Sequence, residues 1–119
     1  MLVGAMGASH GVPYMANPSA TKAYISALGE ALHFELEKHG VAVTVLTPGI
    51  TDTAAVPEIM ADPGALPMKP MSVAQVASEG IAAIQANKTL CVPGALNRSI
   101  NRVVPASITS KMEAKLLKK

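Results

Sequence analysis

Residues 17–53 read NPSATKAYISALGEALHFELEKHGVAVTVLTPGITDT, and this stretch decides the fold. Asn17 followed by Pro18 is a helix start: an Asn side chain accepts from free first-turn N–H groups, and Pro lacks an N–H that would be unpaired there. Helical spacing places Ala20, Tyr24, Ala27, Leu28, Ala31 and Leu32 on one apolar stripe, with Ala23, Gly29 and Ala31 keeping its profile low. The spacing predicts a helix over 18–39 that stops at Gly40, which supplies the left-handed residue that helix ends favour. Val41 to Leu46 is then a β-branched apolar run between Gly40 and Pro48, the pattern of a parallel strand covered on both faces.

Upstream, Met1 to Ala5 reads as the end of a short strand and Gly4 to Gly11 as a small-residue loop. Downstream, residues 48–71 hold five prolines and predict an irregular excursion with short helical turns at most. Ser72 and Gln75 make a capping box for a second helix to about Asn87, with Val73, Val76, Ala77, Ile81 and Ile84 on one side. Thr89 to Val92 is a third strand. The expected architecture is α/β, about three parallel strands with two main helices, in one domain over residues 1–96. Residues 97–119 form a basic tail with helical spacing.

Composition supports one domain and narrows its chemistry. Half of the 119 residues are hydrophobic but only 3% are aromatic, so the core must be built from Ala, Val, Leu, Ile and Met. No apolar run is long enough to span a bilayer, and the N-terminus lacks the basic start of a secretory signal. A lone cysteine, Cys91, lies in an apolar run and suits a buried inert thiol in a reducing compartment, so a cytoplasmic location is expected. Charge is uneven: residues 94–119 carry six basic residues and one acid, whereas residues 1–93 carry four lysines and seven acids. Ile108, Met112 and Leu116 alternate helically with Lys111, Lys115, Lys118 and Lys119, which fits either a solvated closing helix or a contact with anionic lipid or nucleic acid. Basic residues interleaved with aromatics are absent, so nucleic acid is not an expected partner. Glu30, His33 and Glu37 occupy successive helical turns and could converge on a divalent metal, but they read better as a solvated face, and no metal site is expected.

The helix opening Ser19-Ala20-Thr21-Lys22, the strand exit Thr47-Pro48-Gly49-Ile50-Thr51-Asp52-Thr53 and the later exit Val92-Pro93-Gly94 together resemble the second half of the short-chain dehydrogenase/reductase family. The resemblance covers roughly residues 1–96 and implies a truncated Rossmann-like domain. In the family a Tyr-x-x-x-Lys motif opens this helix. Lys22 fits the lysine, Pro18 falls where the tyrosine belongs, and counting back to the family's serine reaches Ala5. The resemblance implies that the tyrosine hydroxyl moves a proton, the lysine lowers its pKa and holds the cofactor ribose, and the serine orients the substrate. Tyr14, four residues before Pro18, is the nearest stand-in for the lost acid. Pro48, Gly49, Thr51 and Thr53 match the segment that lies against the cofactor, should one be bound. The family's Gly-rich phosphate loop belongs to an earlier strand, helix, strand unit outside this chain, so NAD(P) binding is expected only where that half is supplied.

Three functions follow as expectations. One is a fragment derived from an NAD(P)-dependent oxidoreductase that handles a small-molecule substrate only in a larger whole and cannot transfer hydride by itself. The second is a cofactor-independent serine hydrolase or esterase, because Ser19 and Lys22 also spell Ser-x-x-Lys at a helix start. The third is a non-catalytic oligomeric interaction domain. The lysine helix is a subunit interface in the family, so the resemblance implies a homodimer or larger homo-oligomer.

Overall fold

Three parallel strands, β1 (Leu2–Val3), β2 (Val45–Leu46) and β3 (Leu90–Cys91), lie in the order β1-β2-β3 in the computed structural model, which describes residues 1–60 and 68–117. Leu2 pairs with Val45 and Val45 with Leu90; Val3 pairs with Leu46 and Leu46 with Cys91. β2 is central, and Val43 to Leu46 of the predicted run are buried together with Thr47, but Val41 and Ala42 at its start are exposed and lie outside the paired strand. Among the described residues five α-helices, α1 (Ala16–Glu37), α2 (Val56–Ile59), α3 (Val73–Gln85), α4 (Ala95–Val103) and α5 (Ala106–Leu117), alternate with the strands in the order β1-α1-β2-α2-α3-β3-α4-α5, with a 3-10 turn at Met6–Ser9. The excursion over 48–71 holds the short α2 as its helical turn; its residues 61–67 lie outside the described residues.

α1 begins at Ala16, with Met15 rather than Asn17 at the cap position. Pro18 therefore sits inside the first turn, where N–H groups have no helical acceptor and its missing donor costs nothing. The C-terminal end is as predicted: Gly40 has φ 71°, Gly40 N–H donates to Glu37 O (2.9 Å) and Val41 N–H to Leu36 O (3.3 Å), the paired bonds of a Schellman cap. The helix face is not as predicted. Gly29 and His33 are the buried residues of α1, while Tyr24 is 66% exposed and Ala20, Ala27 and Ala31 face outward. The helix settles on its smallest residue because that permits the closest approach. A Cβ on Gly29 would collide with Val45 Cγ2 and press on Leu2.

α3 packs on the other side of the sheet. A Cβ on Gly80 would touch Leu46 rather than Val45, and successive strand residues point to opposite faces. Leu46, Val76, Ala83 and Cys91 form the core there, with Met71 packed against it. Ser72 caps its start as expected, its Oγ accepting from Gln75 N–H at 3.2 Å, but the Gln75 side chain donates to Glu79 Oε1 at 3.1 Å instead of completing the capping box. Of the residues expected on its packed side, however, Val73 and Ile81 are each 55% exposed. The chain thus advances twice across the sheet in one direction, over opposite faces, and the two crossovers have opposite hands. Such crossovers are right-handed in roughly 98% of cases, so one of these two is the rare left-handed form.

The tail is two helices, broken at Pro105. α5 folds back so that Glu113 Oε2 lies 3.1 Å from His10 Nε2, Thr109 Oγ1 lies 3.3 Å from the same nitrogen, and Ser110 Oγ donates to Gly11 O. Lys118 and Lys119 lie outside the described residues.

Candidate functional site

Of the residues that the sequence singled out, Lys22, Ala5 and Pro48 meet at the carboxyl ends of the parallel strands, where open α/β sheets place their ligands. β1 leaves the sheet beside β2: Gly4 N–H donates to Leu46 O at 2.8 Å and Met6 N–H to Pro48 O at 3.0 Å. Ala5 lies between these two bonds, half-buried, against the Pro48 turn. Lys22 stands one turn past Pro18 on α1, and its Nζ donates to Val3 O at 2.8 Å, tying the helix to the end of β1. Lys22, Ala5 and Pro48 therefore share one edge of the sheet. Pro18 is exposed on the first turn of α1 and presents no ionisable group there.

The other candidates are held apart from that edge or used by the backbone. Tyr14 is 69% exposed in a left-handed conformation (φ 66°) in the turn before α1. Ser19 Oγ accepts from Val12 N–H at 3.2 Å, so this hydroxyl fastens the loop to the helix, while Lys22 Nζ is directed to Val3. Thr51 Oγ1 donates to Gly49 O at 3.1 Å, and Thr51 bridges in parallel to Met71. Thr53 is exposed and its carbonyl accepts from Val56 N–H at the start of α2. Gly49 is closed from the far side by Asn97 of α4: a Cβ there would lie 2.9 Å from Asn97 Nδ2. Asn97 is itself buried, donating to Pro93 O at 3.0 Å.

His33 corrects the reading of Glu30, His33 and Glu37 as a solvated face. It is 6% exposed, its Nδ1 lies 2.7 Å from Val43 O, and its ring meets Phe34 edge-on. It secures the strand after the helix, while Glu30 and Glu37 face solvent.

Several polar groups of the structure carry no sequence signal. A cleft of about 250 Å³ opens on the α1 face, lined among others by Ala5, Ala23, Ser26, Thr47, Leu90 and Asn101. Ser26 Oγ is buried beside it without a hydrogen-bond partner among the described residues. Glu79 accepts from Gly94 N–H at 3.0 Å and from Arg98 at 2.9 Å, anchoring the start of α4. The Gly94 N–H holds its carboxyl below the usual range; partial burial opposes this, and Gln75 and Arg98 reinforce it. Burial, with the Glu79 charge second, pushes the Cys91 thiol up, which leaves it a poor nucleophile.

Residues 2–64 match the family model of short chain dehydrogenases. Among solved structures, the chain is similar to a short chain dehydrogenase from Burkholderia cenocepacia J2315 in complex with NADP, at 26% identity and a TM-score of 0.70, over 98% of this chain and 47% of that one. It shares its fold with a short-chain dehydrogenase from Sphingobium yanoikuyae in complex with NADPH (18% identity, TM-score 0.62, 95% of this chain and 41% of that one). The same holds for a bulky-bulky ketone specific alcohol dehydrogenase from Comamonas testosteroni (17% identity, TM-score 0.57, 95% and 38%). The chain spans less than half the length of each of these structures. No curated protein matches it.

Proposed function

Since the chain belongs to the short chain dehydrogenase family, we propose that it is the carboxyl-terminal half of an NAD(P)-type oxidoreductase scaffold that does not itself transfer hydride. The observation that carries this reading is the pair Pro18 and Lys22, one helical turn apart at the end of β1. The lysine stands where the family motif has it. The group one turn before it is a pyrrolidine ring with no proton to give or take, and Ala5 likewise lacks a hydroxyl to orient a carbonyl.

NAD(P), when bound, would supply or accept the hydride. Lys22, Pro48, Gly49, Thr51 and Thr53 are the residues of this chain that would face it. By themselves they do not fit a dinucleotide: Lys22 Nζ is engaged with Val3 O, Thr51 Oγ1 with Gly49 O, and Asn97 fills the space behind Gly49. Binding would need the Gly-rich loop of another segment. The Ser19 hydroxyl and the Lys22 ammonium have different backbone partners, which supports structural roles over a nucleophile and its base. A cytoplasmic location agrees with the single buried thiol.

The test is a fluorescence titration of the chain with NADPH, followed by a search for carbonyl-dependent oxidation of NADPH. We expect neither saturable binding nor turnover. Turnover by the unaltered chain would overturn the reading, as would NADPH binding that Lys22→Ala removes.

A further inference from the structure

We infer that the outer faces of α4 and α5 bind an anionic lipid surface, as a peripheral contact at the membrane–water interface. An ordinary surface helix turns its apolar stripe inward, whereas α5 half-buries only Ala114, Leu116 and Leu117 among its described apolar residues. Here the polar residues Thr109, Ser110 and Glu113 meet the loop at His10 and Gly11. Ile108 and Met112, one turn apart, are left 50% and 46% exposed. Lys111 and Lys115 flank them and are exposed too.

α4 repeats the pattern. Leu96 and Val103 share a stripe at seven-residue spacing and are 59% and 75% exposed; Arg102 lies about a quarter-turn from Val103, while Arg98 is on the far side of the helix from the stripe. Arg98, also exposed, is paired with Glu79, so Arg102 is the exposed cation of α4 outside that ion pair. Glu113, the one acid in residues 94–119, is turned inward to His10. The charges that α5 turns outward, among the described residues, are therefore all positive.

Apolar side chains bordered by cations, on helices of modest overall hydrophobicity, are the chemistry of an anionic bilayer surface. The apolar groups enter the acyl boundary, and long Lys and Arg side chains reach phosphate headgroups. A nucleic acid would use the cations and leave Leu96, Val103, Ile108 and Met112 in water. A second copy would cover them but oppose like charges. No helix among the described residues is long and apolar enough to cross a membrane, so the contact lies in the plane of the surface. This inference stands apart from the reading of Lys22 and Pro18.

The test sediments the full chain with vesicles of phosphatidylcholine alone or mixed with phosphatidylglycerol. We expect binding to the mixed vesicles that salt weakens. The combined variant Arg102→Gln, Lys111→Gln and Lys115→Gln should lower it roughly a hundredfold, at about fivefold per charge. Val103→Asp with Ile108→Asp should lower it at least about tenfold. The chain has no tryptophan, so Val103→Trp gives a reporter that leaves the charges intact and should shift to the blue only with the mixed vesicles. Equal binding to both vesicle types, or an unshifted Val103→Trp spectrum, overturns the inference. So does self-association that the Asp variants remove without any effect of vesicles, which would make the face a contact between copies. Oligonucleotide binding lost only with the charge variant overturns it in favour of nucleic acid.

Discussion

At the scale of single residues, the fold depends most on the position with least side chain. Gly29 lets α1 come down on Val45, which is fully buried and, being β-branched, has little rotamer freedom to yield. Gly29→Ala gains about 1 kcal/mol of helix propensity but drives a methyl into Val45 Cγ2 and Leu2, an overpacking that costs about 1–3 kcal/mol. The packing term wins. We expect a net loss of up to about 2 kcal/mol, read as a fall in Tm of up to roughly 10 °C. Val45→Ala in the same chain should recover part of that loss, and a double-mutant cycle measures the coupling. Additive losses, or a higher Tm for Gly29→Ala, would show that the contact is not the one described. Pro18 acts at the same scale: its ring sits in the first turn of α1 and leaves the helix intact, and in the proposed function it stands where the family motif has a phenol.

At the scale of elements, the three strands and the helices α1 and α3 were legible in the sequence because their signals are local, whereas the division of the tail into α4 and α5 was not. A β-branched run, a Ser72 cap with its Gln75 donor and a Gly40 stop each act within a few residues. Which face of a helix is buried was not legible. Counting apolar residues on α1 selects Ala20, Tyr24 and Ala27, whereas packing selects Gly29 and His33, because closeness of approach depends on small size and His33 has an acceptor waiting on Val43. The same limit applies to the site. Lys22 and Pro18 could be read from a short motif, but Glu79 with Gly94 and His10 with Glu113 are 15 and 103 residues apart and meet only once the chain has folded. Glu79 gives this scale its prediction. Its carboxyl is held below the usual range in the folded state, first by the Gly94 N–H, so it contributes stability that is fully present above the unfolded pKa and is lost as pH falls through the lowered folded value. At neutral pH, Glu79→Gln should cost about 1–2 kcal/mol by weakening the tie between α3 and α4. In urea unfolding, the gap between variant and wild type should shrink as pH falls below about 4. A gap that stays constant with pH would mean that the ionised carboxylate contributes nothing at that junction.

At the scale of the whole molecule, there is more surface than one small domain should show. The accessible area is 7311 Å², against about 6,100 Å² expected for a 12.2 kDa monomer. The radius of gyration is 14.6 Å against about 13.5 Å, with extents of 47 × 26 × 26 Å. The excess of about 1,200 Å² exceeds the roughly 800 Å² that each partner of a standard interface buries. Among the described residues, β1 and β3 are the two edges of the sheet, the positions at which another chain could add a strand. On α1, Tyr24 and Phe34 are each 66% exposed and Leu28 is 38% exposed beside outward-facing alanines, a low surface suited to close helix contact. We therefore expect the purified chain to be a homodimer through α1, with a mass by light scattering near twice 12.2 kDa. Association then becomes part of folding, and mass action should raise Tm by about 3 °C for each tenfold rise in chain concentration. Tyr24→Glu should abolish both the doubled mass and the concentration dependence, since it places a charge in the contact without touching the α1–sheet packing. A Tm independent of concentration, at a mass near 12.2 kDa, would mean that the exposed face of α1 has no self-partner and that the excess surface is reserved for a different chain.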